Sequence, residues 1–255
     1  MPIVTANKAE LYYEAHGEGP ALVFAHGGGG NAAIWYQQVP HFVDRYRVIT
    51  FDHRGFGRSS AAADDVRADH FGDDMVRILD DASVERAVIV AQSMGGWTAI
   101  LTAIAHPDRV AGVVMGNTPG PVMTPEIAEA RASIEARVTS LGGLAGLAVS
   151  ADLPERDPAK AFLYAQISGF NPGYPLDTEK LMVTVGDEVL ARLDVPIIMI
   201  VTDGDALLPA PALRSAAPAL NAKVYEITGS GHSPYFEKPD EFNAIVDRFL
   251  VETGW

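Results

Sequence analysis

The sequence predicts an α/β fold in which a mostly parallel sheet is covered by helices on both faces. Short runs of aliphatic and β-branched residues, such as Arg47–Phe51 and Arg86–Ala91, alternate along the chain with segments of helical periodicity. Most of these runs are continuously apolar, which is typical of parallel strands that are buried on both faces. The 255 residues, 48% of them hydrophobic, fit one large α/β domain or two small ones.

Each predicted strand is a short run bounded by turn-forming residues, and each predicted helix has apolar residues at helical spacing. In chain order, the predicted strands are Glu10–Ala15, which alternates in hydropathy, Ala21–Ala25, Arg47–Phe51, Arg86–Ala91, Val110–Met115, Pro196–Val201 and Lys223–Ile227. The predicted helices between and after them are Ile34–Val43, Val66–Asp81, Met94–Ala105 and Pro239–Val251. Strands and helices therefore alternate as they do in an α/β domain.

The stretch from Pro119 to about Asp187 interrupts this alternation, because it has no strong strand run and is rich in Ala, Gly and Pro. Its candidate helices are Ile127–Leu141, Pro158–Ile167 and, more weakly, Leu181–Arg192. The stretch is either a lid over an active site or an elaborated crossover, and a lid is favoured because a crossover helix needs far fewer residues. We predict a core domain of residues 1–118 and 188–255 and a helical cap of residues 119–187.

Composition limits the partners of this protein. The net charge of −14 disfavours nucleic acid, anionic membranes and polyanionic substrates. The chain has no cysteine, so disulfides, thiolate metal sites and cysteine nucleophiles are excluded. No apolar run approaches the ~18 residues of a membrane span, and residues 1–8 do not resemble a signal peptide. We expect a soluble cytoplasmic protein.

The most informative motif lies where the strand Arg86–Ala91 ends and a helical pattern begins. Ser93 follows this strand, and Gly95 and Gly96 come soon after it. A strand that turns sharply into a helix around a serine is the geometry of a nucleophile elbow, which lifts the hydroxyl out of the sheet. Small residues are needed two positions before and two positions after the serine, and Ala91 and Gly95 occupy them. Taken alone, the motif fits a serine that ends a strand by chance equally well.

A serine nucleophile needs an oriented base, and in this architecture an acid and then a histidine follow the serine along the chain. Two histidines follow Ser93. His106 ends the predicted elbow helix, where a surface position is expected, whereas His232 lies in a glycine-containing loop after the last strand and is predicted as the base. Asp203 and Asp205 both follow the penultimate strand, and Asp205 is preferred as the acid because a glycine turn places it beyond the strand end.

An acyl-transfer site also needs backbone N–H groups for the charge that develops on the carbonyl oxygen. The amide of Met94, at the start of the elbow helix, and the amide of Gly28, in the glycine-rich loop after Ala21–Ala25, are the candidates. Such a loop could instead bind a nucleotide, but the spacing of residues 27–30 matches neither a dinucleotide motif nor a P-loop. No cofactor is predicted, and no metal site, since no histidine or third carboxylate lies near the two aspartates in the sequence.

Together these motifs resemble the α/β-hydrolase fold superfamily, in the subgroup with a helical cap after the sixth strand. The matching strings cover nearly the whole chain outside the cap and are His26-Gly27-Gly28-Gly29, Phe51-Asp52-His53-Arg54-Gly55-Phe56-Gly57-Arg58-Ser59, Ala91-Gln92-Ser93-Met94-Gly95-Gly96, Asp203-Gly204-Asp205 and Gly231-His232-Ser233-Pro234-Tyr235-Phe236-Glu237-Lys238-Pro239. The resemblance implies a mostly parallel eight-stranded sheet flanked by helices, and a structural turn without catalytic role at Asp52 and Arg54. Two departures are Ala91, where the family has glycine, and Thr202, where glycine is common before the acid.

The resemblance implies a serine hydrolase that cleaves a small, neutral carboxylic ester or lactone through an acyl-enzyme. A serine at the elbow disfavours haloalkane dehalogenase and epoxide hydrolase activity, because those enzymes use aspartate there. Ser233 lowers the case for carbon–carbon hydrolysis of ring-cleavage products, where tryptophan often follows the histidine. Cofactor-free haloperoxidase or perhydrolase activity and a non-enzymatic small-molecule receptor stay open. A neutral substrate is expected because the cap offers few clustered basic residues.

The substrate pocket is expected between the elbow and the cap. Trp35 and Trp97 flank the two candidate amide donors in the sequence, and Phe162 and Tyr164 lie in the cap. We predict these four aromatic residues as substrate contacts, although aromatic residues at such positions more often serve packing.

Overall fold

The computed structural model describes residues 2–140, 146–171 and 177–255, and an eight-stranded sheet lies at its centre. The strands are β1 (Ile3–Ala6), β2 (Ala9–His16), β3 (Ala21–Ala25), β4 (Arg47–Phe51), β5 (Ala87–Gln92), β6 (Val110–Gly116), β7 (Ile197–Thr202) and β8 (Lys223–Ile227). Their order across the sheet is β1-β2-β4-β3-β5-β6-β7-β8. The β1–β2 and β2–β4 pairs are antiparallel and the other neighbours are parallel. The predicted α/β fold with a mostly parallel sheet is confirmed.

Helices connect the strands and cover the sheet. They are α1 (Gln38–Phe42), α2 (Phe71–Asp81), α3 (Gly95–Ala105), α4 (Pro125–Ser140), α5 (Leu153–Arg156), α6 (Pro158–Gly169), α7 (Thr178–Leu181), α8 (Asp187–Leu190), α9 (Ala210–Ser215), α10 (Pro234–Glu237) and α11 (Pro239–Thr253). Single 3₁₀ turns occur at Ala32–Trp35, Ala63–Asp65, Ala68–His70 and Pro107–Arg109. Within the described part of the chain, no helix has both the length and the apolar character that crossing a bilayer requires.

Several elements differ from the sequence-based prediction. The short helices α5, α9 and α10 were not predicted, and the helices predicted from Ile34 and Val66 begin only at Gln38 and Phe71. β1 was not predicted, because a four-residue edge strand is too short for its alternation to be recognised. The helix predicted over Leu181–Arg192 is broken into α7 and α8. Backbone groups between α7 and α8 form hydrogen bonds with other parts of the chain and not with each other. The carbonyl of Val183 accepts from the indole of Trp97 at 2.7 Å, and the amide of Val185 donates to the carbonyl of Pro121 at 3.0 Å. Leu141, predicted to end the helix that is α4, lies outside the described residues.

The sheet is buried on both faces because its parallel strands are apolar at successive positions. Val23 and Ile89 lie on the face that packs against α2 and α3. Leu22 and Val90 lie on the opposite face, which packs against α1 and α11. Each such side chain contributes ~1.5–3 kcal/mol when it is fully buried. The carboxyl ends of the parallel strands are thereby fixed side by side at one edge of the sheet.

The segment between β6 and β7 contacts loops at this carboxyl edge. The side-chain amide of Asn31 donates to the carbonyl of Ile167 at 2.9 Å, and that of Asn171 donates to the carbonyl of Gly30 at 3.0 Å. Both bonds tie the end of α6 to the glycine-rich loop after β3. The division of the chain into core and cap at residues 119 and 187 stays a prediction.

Glu237 in α10 makes a second connection between this segment and the core. Its side chain is fully buried. Oε1 accepts from the amides of Ser150 at 3.1 Å and Gly231 at 2.9 Å. Oε2 accepts from the hydroxyl of Ser150 and from Nη2 of Arg156, the latter at 3.2 Å. The buried charge is tolerated because all its partners are donors and one is a guanidinium.

Candidate active site

Ser93 lies at a sharp turn between β5 and α3, at the carboxyl edge of the sheet. Its φ of 50° is in the left-handed region, which is uncommon for a residue with a side chain. The turn is tight because α3 begins against β3, and a Cβ at Gly95 would lie only 2.2 Å from the carbonyl oxygen of Ala25. Ala91, the departure from glycine, is fully buried within the core on one face of the sheet. The strand–turn–helix arrangement predicted around the serine is therefore present.

His232 and Asp205 come together from the loops that follow β8 and β7. Nδ1 of His232 lies 2.7 Å from Oδ2 of Asp205, and both side chains are buried. Oδ1 of the same carboxylate accepts from the amides of Leu207 at 2.8 Å and Leu208 at 2.9 Å. A carboxylate at Nδ1 requires the proton to be on that nitrogen, so Nε2 is an acceptor in the neutral ring. Nε2 is buried and has no hydrogen-bond partner among the described residues.

The other residues considered for acid and base lie elsewhere. Asp203 is exposed, and its carboxylate accepts from the amide of Gly229 at 2.8 Å, so it closes the turn after β8. His106, at the end of α3, pairs with Asp73 on the surface at 3.1 Å. Within the described residues, no cluster of three or more His, Cys, Asp or Glu residues is arranged to hold a metal ion. Of the two candidate aspartates, Asp205 is therefore the one that lies beside His232.

The loop of His232 is held by polar side chains to which the sequence assigned no role. The side-chain amide of Gln92, at the end of β5, donates to the carbonyl of His232 at 2.9 Å. The carbonyl of Gly231 accepts from the hydroxyl of Thr202 at 2.8 Å and from the side-chain amide of Asn117 at 3.1 Å. Thr202, a departure from the family pattern, therefore fastens the histidine loop. The one signal in the sequence is that each of these residues ends or directly follows a buried strand.

The glycine-rich loop after β3 lies beside Ser93, since a Cβ at Gly27 would be 2.9 Å from the Cβ of Ser93. His26 donates from Nδ1 to the carbonyl of Gly27 at 2.7 Å, and its Nε2 accepts from the amide of His53 at 3.0 Å. Burial holds the pKa of His26 below its ordinary value, which keeps the ring in the neutral form that this pattern requires. Because the C=O and N–H of one peptide unit point in opposite directions, fixing the Gly27 carbonyl also fixes the direction of the Gly28 amide.

Among the residues that the structure describes, neither the N–H of Gly28 nor that of Met94 has a hydrogen-bond acceptor. Met94 immediately precedes α3, where the first N–H groups have no partner within the helix. Free amides on either side of Ser93 are what binding of an oxyanion requires, and this role for them stays a prediction.

Two of the predicted substrate contacts, Trp35 and Phe162, differ sharply in burial. Trp35 has no exposed surface and packs against Phe24 and Tyr235 at ring-centre distances of 5.0 and 4.4 Å. Trp35 is thus a core residue beneath the loop that carries it, and this placement does not support the predicted substrate contact. Phe162, in α6, is 66% exposed, so its predicted contact is not supported by burial in a site either.

The other two lie beside the candidate site. Trp97, in the first turn of α3, is buried in a small apolar cluster with Met94 and Leu181. Tyr164 is also buried, and its hydroxyl lies 3.2 Å from the position that a Cβ at Gly29 would occupy. Trp97 and Tyr164 are therefore placed where contact with a ligand is feasible, and the contact itself stays a prediction.

Comparisons with known proteins agree with the fold described above. The family model described as alpha/beta hydrolase fold matches residues 20–135. The chain is 29% identical to 3-oxoadipate enol-lactonase 2 of Acinetobacter baylyi (strain ATCC 33305 / BD413 / ADP1), over 97% of this chain and 95% of the relative. It is 30% identical to RutD of Caulobacter sp. (strain K31), whose name gives carbamate hydrolase as a provisional activity, over 94% of this chain and 95% of the relative. The solved structure of Est816, described as an N-acyl homoserine lactone degrading enzyme, is 28% identical, covers 97% of this chain and 100% of its own, and has a TM-score of 0.81.

Proposed function

Because the chain belongs to the α/β-hydrolase fold family and is a hydrolase of that fold, we propose that it is a serine hydrolase that cleaves a small carboxylic ester or lactone. The observation that carries the proposal is the buried 2.7 Å hydrogen bond between Asp205 and His232, at the same sheet edge as Ser93. The lactone substrates in the names of two relatives support the ester and lactone class.

In the proposed mechanism, Nε2 of His232 takes the proton of the Ser93 hydroxyl as its oxygen attacks the carbonyl carbon. Asp205 holds the ring and stabilises the imidazolium. The amides of Gly28 and Met94 bind the oxyanion, and loss of one such donor costs about 3–4 kcal/mol of transition-state stabilisation. The C–O bond then breaks, and the leaving oxygen receives the proton from His232. Water, deprotonated by the same histidine, hydrolyses the acyl-enzyme and restores the serine.

The setting of this activity is part of the proposal. We infer that the enzyme works without a cofactor on a small molecule in the cytoplasm, with neither nucleic acid nor membrane as a partner. The net charge of −14 supports the absence of polyanionic partners. The bonds that join residues 167–171 to the glycine-rich loop, and Ser150 to Glu237 of α10, support a cap that covers the site.

Replacing Ser93 with alanine tests the proposal. S93A should remain folded and lose turnover of 4-nitrophenyl acetate by at least about 10⁴-fold, because nucleophile and base act as a unit. Ser83 offers a matched control, since it is an exposed serine with a similar positive φ of 54°. S83A should keep the native rate. Full turnover by S93A would contradict the serine mechanism, and a stable stoichiometric complex without turnover, across a panel of short esters and lactones, would indicate a receptor instead.

A further inference from the structure

Arg131 of α4 approaches the elbow helix from the cap. Its guanidinium carbon lies 5.2 Å from the centre of the Trp97 ring. Trp97 stands four residues after Ser93 and packs in one apolar cluster with Met94. Met94 and Trp97 are three residues apart, a spacing that places side chains on one face of a helix. Trp97 is therefore the side chain that links Arg131 to the proposed catalytic site.

Among the residues that the structure describes, no acidic side chain pairs with the guanidinium of Arg131. Its Nη2 atom is buried, and among the arginines whose side chains the structure describes it is the one buried nitrogen without a hydrogen-bond partner. Burial lowers the pKa of Arg131, and within the described part of the chain no acid contributes an opposing effect. Arg54 is the contrasting case, since its buried guanidinium bonds to both carboxylate oxygens of Asp74.

An unpaired guanidinium is unexpected in this chain, which has 33 acidic residues and 19 basic ones. Removing a charge from water is strongly unfavourable unless a counter-charge or hydrogen bonds replace the solvent. Stacking on an indole recovers only part of this cost and leaves the N–H donors unsatisfied. The planar fork of an arginine matches a carboxylate, which it can bind through two parallel hydrogen bonds.

We propose that Arg131 binds a carboxylate of the substrate, so that the preferred ester or lactone carries a free carboxylate group. The inference rests on the proposed function, because it names the substrate class of that site. It replaces the neutral substrate expected from the scarcity of basic clusters in the cap. One buried guanidinium without an acid is enough for one carboxylate, whereas a phosphorylated or coenzyme-linked substrate would need several cations.

Matched pairs of esters test the proposal. Mono(4-nitrophenyl) adipate and 4-nitrophenyl hexanoate differ by a carboxylate on the acyl side, and 4-acetoxybenzoate and 4-methylphenyl acetate differ by one on the leaving-group side. For at least one pair, the native enzyme should show a kcat/KM for the anionic ester that is tenfold or more above that for the neutral ester. In R131M this ratio should fall roughly 10- to 100-fold, as expected for loss of a charge-assisted hydrogen bond. R131K should restore part of the ratio.

Arg192, which is exposed, supplies the control, and R192M should leave the ratio unchanged. If R131M lost kcat/KM equally on the anionic and the neutral esters, Arg131 would only pack against Trp97. A ratio of kcat/KM near one in the native enzyme, for both ester pairs, would also overturn the proposal. Failure of the proposed function is a separate outcome, seen as no hydrolysis of any ester or as full activity in S93A. Adipate binding, measured by titration calorimetry, keeps the test independent of turnover, and it should be weakened in R131M and unchanged in R192M.

Discussion

Replacing Asp205 with asparagine tests how the proton of His232 is positioned. In the native carboxylate, Oδ1 accepts from the amides of Leu207 and Leu208, and Oδ2 accepts from Nδ1 of His232. In D205N, the two backbone N–H groups will hold the oxygen of the new side-chain amide at the Oδ1 position. Its NH₂ group must then face Nδ1, which becomes an acceptor, and the proton moves to Nε2. The ring is left in the tautomer that cannot take the proton of Ser93.

The size of the effect follows from this exchange of donor for acceptor. The same substitution in a comparable triad lowers kcat about 10⁴-fold, which corresponds to about 5.4 kcal/mol in the activation free energy at 1.36 kcal/mol for each factor of ten. The fold should be retained, because both backbone bonds to the side chain survive. Asp203 provides the matched control, since its carboxylate bonds to the amide of Gly229 and not to the histidine. D203N should change kcat/KM by no more than a few fold.

The assay is the pH profile of kcat/KM for 4-nitrophenyl acetate, together with circular dichroism spectra of both variants. The expected result is a loss of about four orders of magnitude in D205N at neutral pH, with a native-like spectrum. A larger loss in D203N than in D205N would refute the assignment of the acid. Native turnover in D205N would refute the argument from the tautomer.

Two further substitutions test packing and pH dependence. G95A should lower the free energy of unfolding, measured in urea, by about 2–3 kcal/mol, because the new Cβ would lie 2.2 Å from a backbone carbonyl oxygen. The control is G169A, where no atom lies within 4 Å of the new Cβ, so the free energy of unfolding should stay the same or rise by up to about 1 kcal/mol. Similar effects of the two substitutions would contradict the steric argument. The second substitution is H53Q. Burial holds the pKa of His53 well below its ordinary value of 6.5, and the nearby charges of His26 and Arg54 lower it further. The ring therefore stays neutral in the native state, whereas in the unfolded state it takes up a proton below pH 6.5. The free energy of unfolding therefore falls as the pH falls below 6.5. Between pH 7 and pH 5.5, the native protein should lose about 1 kcal/mol more of its free energy of unfolding than H53Q loses. Equal losses in the two proteins would show that protonation of this histidine is not linked to folding.

The hydropathy pattern of the chain was sufficient to predict the parallel strands, because strands buried on both faces leave a local pattern that does not depend on distant residues. The residues that fasten the site leave no such pattern. Gln92 and His232 are 140 positions apart, so their hydrogen bond is a product of the fold. His26 acts through the orientation of a single peptide unit, which depends on its contact with the amide of His53 after β4.

Proximity in sequence was a poor guide to the pocket. Trp35 was chosen because it follows a predicted amide donor, yet the 3₁₀ turn that contains it directs the indole into the core. Trp97 was predicted as a contact for the same reason, and it lies beside the candidate site because the first turn of α3 directly follows Ser93. In the sequence, nothing distinguishes Arg131 from the other arginines. Its burial, and the absence of an acid beside it among the described residues, are known only from the structure.

The carboxylate of Glu237 restricts how residues 150–156 can move. Moving residues 150–156 away from the core would break three of its four hydrogen bonds and leave a buried carboxylate without those donors. Each buried polar group that loses its partner costs ~1–3 kcal/mol. The fourth bond holds the amide of Gly231, so the same movement would slacken the loop that carries His232. The Glu237 carboxylate therefore restrains residues 150–156 and the histidine loop together, so a displacement of one would disturb the other.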